Sequence, residues 1–207
     1  MIDRSTPGKM PITGGRAIEN ELPVEPNAKW IPEKVSQGYV GDYKPFSLVD
    51  GEGVRCAVFF SGCLLKCPGC FNEEVQSFKY GHPYTQELEE KIIKDLEKPY
   101  VQGLSLIGGE PFLNTPTALQ LVRRVKTELP AKDIWAWTGF TFDYLNKFGN
   151  ESQKELLANV DVLIDGPFLV RKKNLSIAFR GSDNQRIIDV PMSLKTDELK
   201  VIAKFDE

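Results

Sequence analysis

Beyond residue 38 the chain alternates short β-rich runs with stretches of helical periodicity, and this alternation restricts its fold more than any other feature. Such a pattern predicts an α/β architecture with parallel strands. Residues 44–49 and 54–61 read as the first two strands, joined through Asp50-Gly51-Glu52-Gly53, whose glycines and acids suit a turn. Thr85 is a good N-cap for a helix with Glu87 in its first turn and Leu88, Ile92 and Leu96 on one face. Residues 104–107 read as a buried strand. Thr115 then caps, and Pro116 opens, a helix with an apolar stripe of Ala118, Leu121, Val122, Val125 and Leu129, ended by Pro130. Further on, residues 134–138, 160–164 and 175–179 read as strands, residues 141–148 as a short helix closed by Gly149, and residues 151–158 as another helix. No internal repeat is visible.

At 207 residues the chain fits a single ordinary domain. Pro7, Pro11, Pro23, Pro26 and Pro32, with Gly8, Gly14 and Gly15, leave no room for regular elements at the start. Residues 1–38 are therefore expected to form an extended or disordered arm, and residues 39–207 the folded domain. With 41% hydrophobic and 27% charged residues, the composition argues against both wholesale disorder and a membrane protein. No apolar run approaches the roughly 18 residues of a membrane span. The N-terminus lacks a secretory core, so a cytoplasmic location is expected. A net charge of -3 gives no electrostatic footprint for nucleic acid.

The segments that follow the expected strands are polar and rich in glycine. They are a cysteine loop after the second strand, then Gly108-Gly109-Glu110-Pro111, Thr138-Gly139-Phe140, Asp165-Gly166-Pro167-Phe168 and Arg180-Gly181-Ser182. In barrels and open parallel sheets alike, ligands sit at the carboxyl ends of strands, so these five loops are expected to converge on one face.

All four cysteines, Cys56, Cys63, Cys67 and Cys70, fall within 15 positions. Clustered thiols in a reducing compartment more often bind metal or do redox chemistry than form disulfides. Cys63, Cys67 and Cys70, spaced Cx3Cx2C, place three thiols on one tight loop, enough for three corners of an iron-sulfur cluster with one iron left open. A structural zinc site, completed by His82 or by Cys56, is the competing reading. Cys56 lies inside an apolar strand, where a free cysteine usually behaves as a small hydrophobe, and His82 reads as a turn residue.

The ordered series of motifs resembles the radical S-adenosylmethionine enzymes. It consists of Asp-Gly-Glu-Gly-Val-Arg (50–55), Ser-Gly-Cys (61–63), Cys-Pro-Gly-Cys-Phe-Asn (67–72), Gly-Gly-Glu-Pro (108–111), Trp-Ala-Trp-Thr-Gly (135–139), Asp-Gly-Pro-Phe (165–168) and Arg-Gly-Ser-Asp-Asn-Gln-Arg-Ile-Ile-Asp (180–189). Within that superfamily it is most similar to the activating enzymes of anaerobic ribonucleoside-triphosphate reductase. Gly69, where most of the superfamily carries an aromatic residue, and Phe71 directly after the third cysteine are features of that subgroup. The resemblance implies a partial (βα) barrel in a single catalytic domain. It implies a 4Fe-4S cluster on Cys63, Cys67 and Cys70, and S-adenosylmethionine held by Phe71, Asn72, Gly108, Gly109, Glu110, Thr138 and Asp165. The implied partners are the anaerobic reductase, whose glycine would receive the radical, and a low-potential electron donor such as flavodoxin or ferredoxin, with no nucleic acid and no membrane.

From the residues themselves, a turn-forming role competes with ligand contact at Thr138 and Asp165. Trp135 and Trp137 share a strand face and suit a core. Asp50 and Glu52 suit a solvated turn, while Arg180, Asn184, Gln185 and Arg186 cluster in one loop as candidate cofactor or reductase contacts. An activase for another glycyl enzyme of pyruvate formate-lyase type, a radical enzyme acting on a small molecule, and a zinc-stabilised binding protein remain the alternatives.

Overall fold

A computed structural model describes residues 22–205. In chain order the elements are α1 (Pro32–Val35), β1 (Tyr39–Ser47), β2 (Val54–Phe60), β3 (His82–Pro83), α2 (Gln86–Leu96), β4 (Val101–Gly108), α3 (Thr115–Glu128), β5 (Asp133–Trp137), α4 (Phe142–Phe148), α5 (Glu151–Ala158), β6 (Val162–Asp165), β7 (Arg186–Asp189) and α6 (Val190–Thr196). The strands form one sheet in the order β3-β1-β2-β4-β5-β6-β7. β2, β4, β5 and β6 are mutually parallel, as the alternation predicts. The flanking strands β1, β3 and β7 pair antiparallel.

Strand alternation sends successive side chains to opposite faces. Cys56, Val58, Phe60, Leu104, Leu106, Ile134, Ala136, Leu163 and Ile188 point into the main core, with the buried stripes of α2, α3, α4 and α5. The intervening residues Trp135, Ile164 and Ile187 form a small second cluster with Phe179, Ile202 and Phe205. The helices therefore cover one face of the sheet. Among the described residues no helix is long and apolar enough to cross a membrane.

Helix ends follow local chemistry. Thr85 and Thr141 accept hydrogen bonds from Leu88 N and Tyr144 N at the starts of α2 and α4, and Asn150 with Gln153 forms a capping box on α5. At α3 the expectation shifts by one residue: Thr115 is the first helical residue and Asn114 precedes it. Asn114 makes no side-chain cap: its Oδ1 accepts from Ser36 Oγ at 3.0 Å, and its Nδ2 donates to Gly62 O and Glu110 O.

Three further expectations change. Residues 175–179 form bends and a turn, not a strand: Leu175 is exposed and Phe179 has φ +57°, a left-handed backbone that no strand contains. The last strand is β7, which starts at Arg186. β1 begins earlier than residue 44, because Tyr39 and Val40 pair with Pro83 and His82, so that His82 sits in an edge strand. The arm also contains regular structure, the helical turn α1 with buried Pro32. Residues 1–21 of the expected arm lie outside the described residues.

Arg55 on β2 is fully buried. Its guanidinium donates to Ser105 Oγ at 2.8 Å and Leu104 O at 2.9 Å, pairs with Asp133 at 2.7 Å and lies 5.1 Å from the centre of the Trp135 ring. Ser105 Oγ in turn donates to Asp50 O at 2.6 Å, which fixes the turn between β1 and β2. The two acids of that turn have partners: Ser47 Oγ donates to Asp50 at 2.6 Å, and Lys204 pairs with Glu52 at 2.8 Å.

Candidate active site

The carboxyl ends of β2, β4, β5 and β6 meet at a cavity of ≈140 Å³ lined by Cys63, Cys67 and Cys70, and by Asn72, Gly108, Gly109, Glu110, Thr138 and Gly139. Cys63 N donates to Gln76 O at 3.0 Å and Gly62 N to Val75 O at 2.7 Å, which pins the start of the cysteine loop. Three residues of the segment, Gly62, Lys66 and Gly69, have positive φ, and the loop turns tightly enough for Cys70 N to donate to Cys67 O at 3.1 Å.

The two glycines after β4 are needed for a close approach of backbone to backbone. A Cβ on Gly108 would run into the Phe60 backbone, and one on Gly109 would lie 2.6 Å from Gly62 O. The space is therefore used to press the Gly-Gly-Glu-Pro turn against the root of the cysteine loop. Glu110 N donates to Gly62 O at 2.9 Å, and Asn72 Nδ2 donates to Gly108 O at 3.3 Å across the same seam.

Glu110 has no exposed surface. Its Oε1 accepts from Phe112 N at 3.0 Å and Thr138 Oγ1 at 2.9 Å, and its Oε2 from Gly139 N at 2.8 Å. Burial pushes its carboxyl up to about 7 against the pull of these donors. Glu110 thus joins the loops after β4 and β5.

Asp165 also serves a loop-joining role. Arg186 donates to both of its oxygens and Phe142 N to Oδ2 at 2.7 Å, while its neighbour Gly166, not Asp165, lines the cavity. The loop expected to carry free contacts is engaged in the same way. Gln185 Nε2 donates to Gly166 O at 3.1 Å and its Oε1 accepts from Gly181 N, Asn184 Nδ2 donates to Pro167 O, and Arg180 donates to Phe205 O. Only Gln185 of this group reaches the cavity wall.

Phe71 is 57% exposed and packs on Phe168 with ring centres 5.1 Å apart and planes tilted by 58°, with Lys173 over its ring. It lies outside the cysteine cavity, between two neighbouring openings. Trp135 is core, whereas Trp137 lines the cavity and donates to Phe179 O at 2.8 Å. Leu65, Gln76, Ile107 and Phe168 also line it and were not singled out as site residues. Two of them had a sequence signal, Leu65 inside the Cx3C segment and Phe168 at the end of the Asp-Gly-Pro-Phe motif.

The donor set is soft. Burial, and then the Glu110 charge, raises the Cys63 thiol above its ordinary value, and burial pushes Cys67 up to about 11. As free thiols they hold their protons at neutral pH, and a bound metal is what would remove them. Neither proposed fourth zinc ligand faces the cavity: His82 is at the exposed sheet edge, and Cys56 is buried on the helical side near Tyr43 and Pro45. Among the described residues no three His, Cys, Asp or Glu side chains crowd around one point as ligands of a single ion do. Cys63, Cys67 and Cys70 all line the one cavity, which suits the separate corners of a cluster.

These features define an iron-sulfur protein, and the family model described as a 4Fe-4S single cluster domain matches residues 49–188. Proteins named anaerobic ribonucleoside-triphosphate reductase-activating protein are similar to the chain over most of their length. The Vibrio cholerae protein is 48% identical over 149 residues, 70% of this chain and 94% of that one. The Haemophilus influenzae protein is 44% identical over 149 residues, 70% and 94%, and the Escherichia coli protein 42% over 147 residues, 69% and 93%. The chain belongs to the family of anaerobic ribonucleoside-triphosphate reductase-activating proteins.

Proposed function

We propose that this chain is a radical S-adenosylmethionine activase that generates the glycyl radical on an anaerobic ribonucleoside-triphosphate reductase. The observation that carries the reading is the shared cavity of Cys63, Cys67 and Cys70 with the Gly-Gly-Glu turn, in a chain of this family. When bound, the cluster and S-adenosylmethionine supply the one-electron cleavage of a carbon-sulfur bond and the removal of a hydrogen atom from the partner's glycine. Cys63, Cys67 and Cys70 hold the cluster, and three ligands instead of four leave one iron to take the cofactor.

The protein's part is placement and exclusion of water. Buried Cys63 sits deepest of the three ligands. Gly108, Gly109, Asn72 and Thr138 face the cavity and contact the cofactor there, with Phe71 outside it against Phe168 of the cavity wall. Glu110 acts by holding Thr138 and the Gly139 N–H in place, and Asp165 by holding Arg186 and the loop that begins at Gly166. Residues 39–207 form the catalytic domain as a partial (βα) barrel. Helices on one face only, and parallel strands whose carboxyl ends converge on the cysteines, support that reading. The expected setting is the cytoplasm, with a low-potential flavodoxin or ferredoxin as donor and no nucleic acid or membrane partner.

The test is electron paramagnetic resonance on the reduced, reconstituted protein mixed anaerobically with S-adenosylmethionine and the reductase. A glycyl radical signal is expected. A signal only with a pyruvate formate-lyase-type partner transfers the activity to that enzyme, and bound zinc without iron after reconstitution rejects the radical chemistry.

A further inference from the structure

The arm that precedes β1 touches the cysteine loop and the segments that follow β4 and β5. Ser36 Oγ donates to Asn114 Oδ1 at 3.0 Å, beside the Gly-Gly-Glu turn. Trp30 sets its ring edge against Phe140 at 6.1 Å, and Glu33 accepts from Asn150 Nδ2 at 3.2 Å. At the far end Val24 N donates to Leu65 O at 2.7 Å, between the first two cysteines. Leu22, Val24 and Pro26 flank a cleft with Leu65, Gly139 and Pro167 on its other walls.

Leu65 carries this contact inward. Its side chain is 2% exposed and packs so closely on Gly139 that a Cβ there would lie 2.9 Å from Leu65 Cδ1. Gly139 N is the donor to Glu110 Oε2. The next residue, Lys66, has φ +48°, a conformation that costs a residue with a side chain and persists where its surroundings impose it. The start of the cysteine loop is pinned by Gly62 and Cys63, and within the span from Cys63 to Cys67 the Leu65 carbonyl accepts the arm's Val24 N–H.

We propose that residues 22–38 are a strap that holds the cysteine loop in its cluster-bearing shape, with Val24 and Leu65 as the positioning residues. The proposal rests on the reading of Cys63, Cys67 and Cys70 as cluster ligands. The strap lies outside residues 49–188, the segment that the family model matches.

The experiment compares full-length Val24→Pro, which removes the single N–H donor, with Val24→Ala, which keeps it, and Leu65→Ala with Leu65→Met. Amide exchange over residues 63–70 is read in the metal-free chain. The rate of iron loss to a chelator and the spectrum of the reduced cluster are read after reconstitution. Val24→Pro is expected to speed loop exchange and iron loss by about three- to tenfold, the worth of one lost hydrogen bond, Leu65→Ala by more, and both to alter the spectrum. Val24→Ala stays close to the parent, and Leu65→Met recovers most of the loss. Val24 is 47% exposed, so its variants test the strap even where Leu65→Ala fails to fold. Parental exchange and parental iron loss in Val24→Pro overturn the proposal. A parent chain that takes up no iron rejects the cluster reading instead, and the exchange measurement still decides whether the strap holds the loop.

Discussion

Glu110 combines complete burial with three donors aimed at its two oxygens, and the two effects oppose each other: burial raises its pKa, and the donors lower it. Burial wins, with the carboxyl moved from 4.5 to about 7. The folded state therefore holds this proton more tightly than the unfolded one. The associated stability is fully present below about pH 4.5 and is lost as pH rises through about 7. The contribution is on the order of 3 kcal/mol. In urea titrations of the metal-free chain, Glu110→Gln is expected to flatten the stability profile across that window, and an unchanged slope would reject the assignment. The cysteines divide just as clearly. Cys63→Ala, Cys67→Ala and Cys70→Ala are each expected to abolish cofactor cleavage and lower bound iron, while Cys56→Ala, altered on the helical side of the sheet, keeps both. Iron analysis beside a cleavage assay checks this, and the reverse pattern would mean a different ligand set.

At the scale of elements, the sheet is tied together where β2, β4 and β5 pass Arg55. One buried guanidinium donates to the Leu104 carbonyl and the Ser105 hydroxyl, pairs with the Asp133 carboxylate, and covers the Trp135 face. Burial lowers the Arg55 pKa, and Asp133 opposes that shift. Removing one member of such a group leaves the others desolvated without a partner, so Arg55→Ala is expected to cost about 3–5 kcal/mol. Chemical denaturation measures it, and a loss below about 1 kcal/mol would place Arg55 among ordinary surface charges. The site's loops meet by a different device. Gly108 and Gly109 give up their side-chain space to the backbone of Phe60 and Gly62, so the Gly-Gly-Glu turn and the cysteine loop behave as one unit.

Across the whole molecule, the two faces of the sheet are covered unequally. Helices seal one face, while Trp135, Ile164 and Ile187 on the other are covered by Phe179 and by Ile202 and Phe205 near the C-terminus. Phe205 meets Trp135 and Phe179 edge-on at 5.8 and 5.3 Å. Phe205→Ala is expected to destabilise the chain by roughly 2 kcal/mol, less than a fully buried phenylalanine because the ring is only half-covered. A thermal melt tests this, and an unchanged midpoint would mean that the tail does not close the face.

The parallel centre of the sheet, the order of elements from β4 to β6, and the loop that carries the three cysteines were legible in the linear chain, whereas α1, β3, β7 and α6 were not. The legible features depend on periodicity and on contacts a few residues apart, such as Thr85 with Leu88 or Asn150 with Gln153. Apolar character without burial misled at residues 175–179, where Leu175 faces solvent and Phe179 turns left-handed. The roles inside the site depend on distant partners: Glu110 on Thr138 and Gly139, Asp165 on Arg186, and Leu65 on both Val24 and Gly139. Spacing and residue type could name those groups as polar or apolar and put them on loops. Which of them face the cavity and which hold its walls depends on how segments far apart in the chain share the same few ångströms, and only folding brings those segments together.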